Sequence, residues 1–89
     1  MTHAYKIVFR EDARKAFDRL DRAVQRQVGR VLDRLAENPR PGQATQLVGD
    51  PRTWRVRAGA WRILYEIHDD QLIVLILDVG HRSKAYGGH

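Results

Sequence analysis

Eight consecutive residues, Leu72 to Val79 (LIVLILDV), carry seven apolar side chains and a single acid. Strand side chains point alternately to two faces, so this run has no wet face and reads as a central strand covered on both sides. A chain that contains it must supply neighbouring strands and a layer to lay over them. Both are legible upstream. Tyr5–Phe9 (YKIVF) has the aromatic and β-branched content of a short strand. Glu11 and Asp12 follow, acids where a helix N-terminus favours them, and Ala13, Ala16, Phe17 and Leu20 recur at helical spacing. Asp21 can cap a second helix, along which Val24, Val28, Val31, Leu32 and Leu35 trace one apolar stripe. Asn38-Pro39 ends it, because a residue before proline is pushed out of the α region.

Pro39 to Thr53 holds all three prolines and reads as an ordered loop anchored by Leu47 and Val48. Strands are then expected over Thr53–Ala58, Trp61–His68 and Leu72–Val79, with Asp69-Asp70 turning the second into the third. The order β-α-α-β-β-β predicts an α+β fold, a helical hairpin on one face of a mostly antiparallel four-stranded sheet. At 89 residues the chain has room for one core, so residues 1–89 are expected to form a single domain. Hydrophobic residues make up 43%, enough for that core. The absence of cysteine rules out disulfides and thiol-ligated metals. No apolar run is long enough for a signal peptide or a membrane span, and a cytoplasmic protein is expected.

The stretch WRVRAGAWRILY (Trp54–Tyr65) sets the main chemical question. Gly59-Ala60 fits a two-residue loop of the type that wants glycine first. In that register Ala58 faces Trp61, Arg57 faces Arg62 and Arg55 faces Leu64. All three arginines then share one sheet face, while Trp54, Val56, Trp61, Ile63, Tyr65 and Ile67 take the other. A three-residue loop would instead put Arg57 and Arg62 on different faces. Like charges directly opposite across strands are destabilising, so the cluster calls for an anion, either a protein carboxylate or a bound one. Glu66, on the same face, offers partial compensation. The alternative is a solvated charged face.

Net charge is +5, from sixteen Lys+Arg against eleven Asp+Glu, and thirteen of the sixteen are arginine. Arginine's planar fork suits bidentate phosphate contacts. The excess is localised: Pro51–Tyr65 has Arg52, Arg55, Arg57 and Arg62 and no acid, with Arg82 and Lys84 added near the end. Arg22, Arg26, Arg30 and Arg34, spaced by four along the second helix, read as a wet face supported by Asp18, Asp33 and Glu37. The competing reading is a ridge of phosphate contacts. His3, His68, His81 and His89 show no metal-ligand spacing, and neither metal nor other cofactor is expected.

Taken together, the YKIVF strand, the EDARKAFDRL helix, the second helix closing on LAENPRPG, QLVGDPRTWRVRAGAWRILYEI, DVGHR and a terminal tyrosine follow in one order. In that order the chain resembles the RelE/ParE superfamily of bacterial toxin–antitoxin toxins, its RelE-like branch in particular. The resemblance implies metal-independent cleavage of messenger RNA in the ribosomal A site, neutralised by a cognate antitoxin. It places the working residues on Arg55, Arg57, Arg62, Arg82 and Tyr86. By the same reading Arg62 and Arg82 would hold the scissile phosphate, with Arg55 and Arg57 clamping it or its neighbour. Tyr86 would donate a proton or stack on a base, His81 and Glu66 are further proton-transfer candidates, and Arg52 and Lys84 would add RNA contacts. The best-studied pattern has lysines where this chain has Arg55 and Arg57, and arginine cannot give up a proton. Two other readings stay open: a ParE-like inhibitor of DNA gyrase, and a module that binds RNA or antitoxin without cutting.

Overall fold

The structure is a computed structural model and describes residues 4–82. It runs β1 (Lys6–Phe9), α1 (Glu11–Asp18), α2 (Arg22–Glu37), β2 (Thr45–Leu47), β3 (Asp50–Ala58), β4 (Trp61–His68) and β5 (Ile73–His81). The five strands form one sheet in the order β1-β5-β4-β3-β2. Only β1 and β5 pair in parallel; the other three pairs are antiparallel. The expected α+β architecture is therefore present, with one strand more than the sequence suggests. The additional strand, β2, is three residues long and pairs Thr45 with Arg55 and Gln46 with Trp54 before its register slips at Leu47. So short a segment, with one apolar residue, carries no period of its own; the edge of β3 recruits it.

Helix boundaries follow local chemistry. Asp21 accepts a 3.0 Å hydrogen bond from the Val24 backbone N–H, the N-cap its position implied, and α2 stops at Asn38. The α2 stripe buries Val28, Leu32 and Leu35 against Val56, Ala58, Ile63, Tyr65, Val74, Ile76 and Val79 of the sheet, and Ala13 of α1 joins this core. Tyr65 is fully buried, and its hydroxyl donates to the Pro39 carbonyl at 2.7 Å, tying the segment after α2 to the sheet's centre. Burial pushes this phenol's pKa up to about 12.

Two readings need correction. Val48 does not anchor the loop before β3; it stands fully exposed at the β2–β3 turn, where Gly49 takes φ 86. Leu47 is only half-buried. The last strand begins at Ile73 rather than Leu72, because Leu72 takes φ 54 and closes the turn after β4. β5 is indeed interior in the sheet, but the layers on its two faces differ. Val74, Ile76 and Val79 are buried beneath the helices, whereas Ile73, Leu75 and Leu77 are half-buried.

Two close contacts fix the ends of the sheet. At one end, Asp69 receives both Arg40 nitrogens, at 2.7 and 3.2 Å, and the Tyr5 hydroxyl at 2.6 Å. These donors, Arg40 first, pull the Asp69 pKa from 3.8 to about 2. A carboxylate depressed on folding contributes stability above its unfolded pKa and loses it as pH falls through the folded one. Asp69→Asn should therefore flatten the acid limb of stability between pH 4 and pH 2, checked by thermal unfolding across that window. At the other end, Gly59 takes φ 62, and a Cβ there would overlap Gln27 Nε2 of α2. Gly59→Ala should cost about 1–3 kcal/mol from the left-handed backbone and this overlap. Adding Gln27→Ala should return part of the loss in urea denaturation.

Candidate nucleic-acid interface

The β3–β4 hairpin has the register expected from its loop. Ala58 pairs with Trp61, Arg57 with Arg62 and Arg55 with Leu64. Only the first loop residue, Gly59, has a positive φ, as a two-residue loop of type II′ requires. Arg55, Arg57 and Arg62 thus emerge on the sheet face away from the helices. Arg57 is exposed, Arg55 and Arg62 half-buried, and Arg62 Nε is shielded from solvent. Directly opposed side chains start only about 5 Å apart at Cβ. Trp54, Val56, Trp61, Ile63, Tyr65 and Ile67 pack toward the core, as their alternation implies.

Among the described residues, no carboxylate lies within ion-pairing distance of Arg55 or Arg57. Glu66 does not compensate them: it sits opposite Thr53, and its Oε1 lies 3.1 Å from His68 Nε2. A second carboxylate close to the cluster in register is Asp78, which the sequence reading passed over. It pairs with Leu64, one step from the Arg62–Gly80 pair, and shares their face. The signal lay in its position two residues before Gly80, the residue that opposes Arg62. Its field also acts on Arg10, whose guanidinium is held charged chiefly by Asp12, at 2.8 and 3.1 Å.

The other expected site residues divide. Arg82 is brought to the hairpin: its backbone N–H donates to the Ala60 carbonyl at 2.7 Å, at the same end of the sheet as Arg57 and Arg62. His81 is not on the arginine face. It pairs with Trp61, on the helix-covered side, and stacks edge-on against that indole at 5.3 Å and 90°. Arg52 is also apart from the cluster, three residues of extended chain from Arg55, or about 10 Å, and out of step with its alternation. It lines a separate recess of about 420 Å³ with Arg40, Trp54, Glu66 and His68. Tyr86 and Lys84 lie outside the described residues. A smaller recess of about 170 Å³ opens beside the cluster, between Gln43, Thr45, Arg55 and Arg57, just before β2 begins.

What remains is a basic platform on the hairpin, whose guanidinium groups suit carboxylate or phosphate oxygens. Comparison with known proteins places the chain. The sequence model of the family described as "ParE toxin of type II toxin-antitoxin system, parDE" matches residues 7–86. The chain belongs to this toxin family. Within it, the chain is 34% identical over 82 residues to an Escherichia coli RelE-like toxin protein, covering 91% of this chain and 86% of that one. It is 30% identical over 84 residues to the mRNA interferase toxin RelE of E. coli strain K12, covering 92% and 87%. The toxin in the crystal structure of the intact E. coli RelBE toxin–antitoxin complex superposes with a TM-score of 0.79 at 28% identity, covering 91% of this chain and all of that one. The toxin fold thus carries the arginine hairpin on its open face.

The Arg57–Arg62 conflict is measurable. Arg57→Thr should raise stability by about 0.2–1 kcal/mol at low salt, and the gain should shrink as salt screens the pair. An unchanged urea midpoint would show that the two guanidinium groups splay too far apart to repel.

Proposed function

We propose that this toxin is a ribosome-dependent, metal-independent endoribonuclease that cuts messenger RNA and is silenced by a cognate antitoxin. The observation that carries the proposal is the placement of Arg55, Arg57 and Arg62 on one open face, with Arg82 held at the same end. The name of the E. coli relative, mRNA interferase toxin RelE, supports the substrate. The toxin–antitoxin complex of the structural relative supports the partner.

In this reading the substrate's 2′-OH attacks the adjacent phosphorus, a cyclic phosphate forms, and the bond to the leaving 5′-oxygen breaks. Negative charge builds on the phosphorane oxygens, and fixed guanidinium groups stabilise it where it develops. Arg62 and Arg82 hold the scissile phosphate, while Arg55 and Arg57 hold it or its neighbour. Proton transfer needs other groups, since arginine stays charged throughout. Tyr86 is assigned to protonate the leaving oxygen. His81 reaches the reaction only if its ring leaves Trp61. The base that takes the 2′-OH proton comes from outside the arginine set.

Induction of the protein without antitoxin, with mapping of messenger RNA 5′ ends, tests the proposal. Ribosome-dependent cuts inside coding regions are expected, and an Arg62→Ala/Arg82→Ala variant should lose them by at least a hundredfold, the scale of one lost oxyanion contact. Intact transcripts with loss of gyrase supercoiling would assign the chain to the gyrase-directed reading. Intact transcripts with normal gyrase would leave a binding module.

A further inference from the structure

β5 carries one residue too many for a regular ladder. Its pairing with β4 runs evenly as far as Tyr65–Ile76 and resumes as Leu64–Asp78, Ile63–Val79 and Arg62–Gly80. Leu77 is the extra residue. Without it Asp78 would oppose Ile63, a fully buried core residue, and its carboxylate would point beneath the helices. With it, Val79 takes the core place and Asp78 moves to the open face, half-buried, in one row with Leu64 and Arg55. A bulge of this kind re-aims the side chains that follow it. Here it turns a carboxylate toward an arginine cluster. Asp78 and Arg62 are diagonal neighbours across two strands, a separation of about 7–8 Å at the backbone. Gly80, between Asp78 and Arg82 along β5, pairs with Arg62 and puts no side chain into the space beside it.

We propose that Asp78 is the general base of the cleavage reaction, the group that takes the proton from the attacking 2′-OH. The inference rests on the proposed ribonuclease reading and fills the role that guanidinium groups, always protonated, cannot. A base must reach the nucleophile while the phosphate is held, so it belongs beside Arg62 on the open face. Other carboxylates are placed less well. Asp12, Asp18 and Asp69 are held by Arg10, Arg14 and Arg40, and Asp21 caps α2. Asp33 and Glu37 lie on α2, behind the sheet. Even there, among the described residues, no acid comes within ion-pairing distance of Arg22, Arg26, Arg30 or Arg34. Glu66 is four residues of β4 from Arg62, about 13 Å, and meets His68 instead. Asp78 has no ion pair among the described residues. In the reaction the 2′-OH proton passes to a carboxylate oxygen of Asp78 as the 2′-oxygen bonds to phosphorus. The bond from phosphorus to the 5′-oxygen breaks, and that oxygen takes the proton of Tyr86. A cyclic phosphate and a free 5′-hydroxyl remain, Asp78 gives its proton to water, and the Tyr86 phenolate regains one.

The test is single-turnover cleavage of a defined messenger RNA on programmed ribosomes by the full chain. Asp78→Asn, nearly identical in size and with its melting temperature checked, should cut roughly 10²–10⁴-fold more slowly, the contribution of a positioned base. Binding is measured separately, with a 2′-O-methyl group at the cut nucleotide to block reaction. There Asp78→Asn should match or exceed wild type, because a negative charge beside the phosphate is gone. Asp78→Ala should be slow as well, and added formate should restore its rate in proportion to concentration, whereas Arg62→Ala should not respond. A carboxylate that merely props the strand could not be replaced by a free one. Cleavage by Asp78→Asn at close to the wild-type rate would overturn the assignment. So would a slow Asp78→Ala that formate leaves unchanged, or a loss of binding large enough to explain the slower cutting. A wild type that leaves messenger RNA intact removes the proposed activity and the base with it. Cutting by wild type and Asp78→Asn alike removes the base alone.

Discussion

Everything on the open face depends on a two-residue loop. Gly59 and Ala60 set Ala58 against Trp61, and every pair behind them inherits that register. One more residue in the loop would carry Arg57 or Arg62 through the sheet into the core, where a guanidinium cannot be left without partners. The loop is itself pinned from behind, because the absence of a side chain at Gly59 lets α2 approach through Gln27. The pairing of Arg57 with Arg62 on one face is thus held in place by close packing on the other.

The core supplies that packing. Tyr65 sits at its centre, fully buried, and its hydroxyl reaches the Pro39 carbonyl, so the chain leaving α2 is fastened beneath the hairpin's second strand. Arg40, one residue on, clamps Asp69 at the far end of the same strand and lies over the Trp54 ring at 5.8 Å. β4 is therefore held at both ends and in the middle, and it is the strand that carries Arg62.

Much of this was legible in the sequence where a local rule acted alone. Asp21 as a cap, the α2 stripe, the break at Asn38-Pro39 and the hairpin register each follow from one residue type at one spacing. The failures fall where tertiary context decides. β2 has no pattern of its own and exists because β3 offers it an edge. Leu72 is apolar yet closes a turn, since the chain needs a left-handed residue there. The helix arginines and their nearby acids satisfy the spacing for ion pairs, but spacing permits pairing without compelling it. His81 stands next to Arg82 in sequence, and one step along a strand was enough to put it on the other side of the sheet.

The parallel pairing of β1 with β5 has a consequence for how the molecule comes into being. Lys6 meets Ile73, and among the described residues β1 has no other strand beside it. β1 can find its place only once β5 is present, and β5 also completes the support for Arg62 through Gly80. Folding that must join distant parts of a chain is slow compared with local hairpin formation. The face that carries Arg62 is therefore completed by a slow, long-range step, whereas the β3–β4 hairpin beneath it can form from neighbouring segments alone.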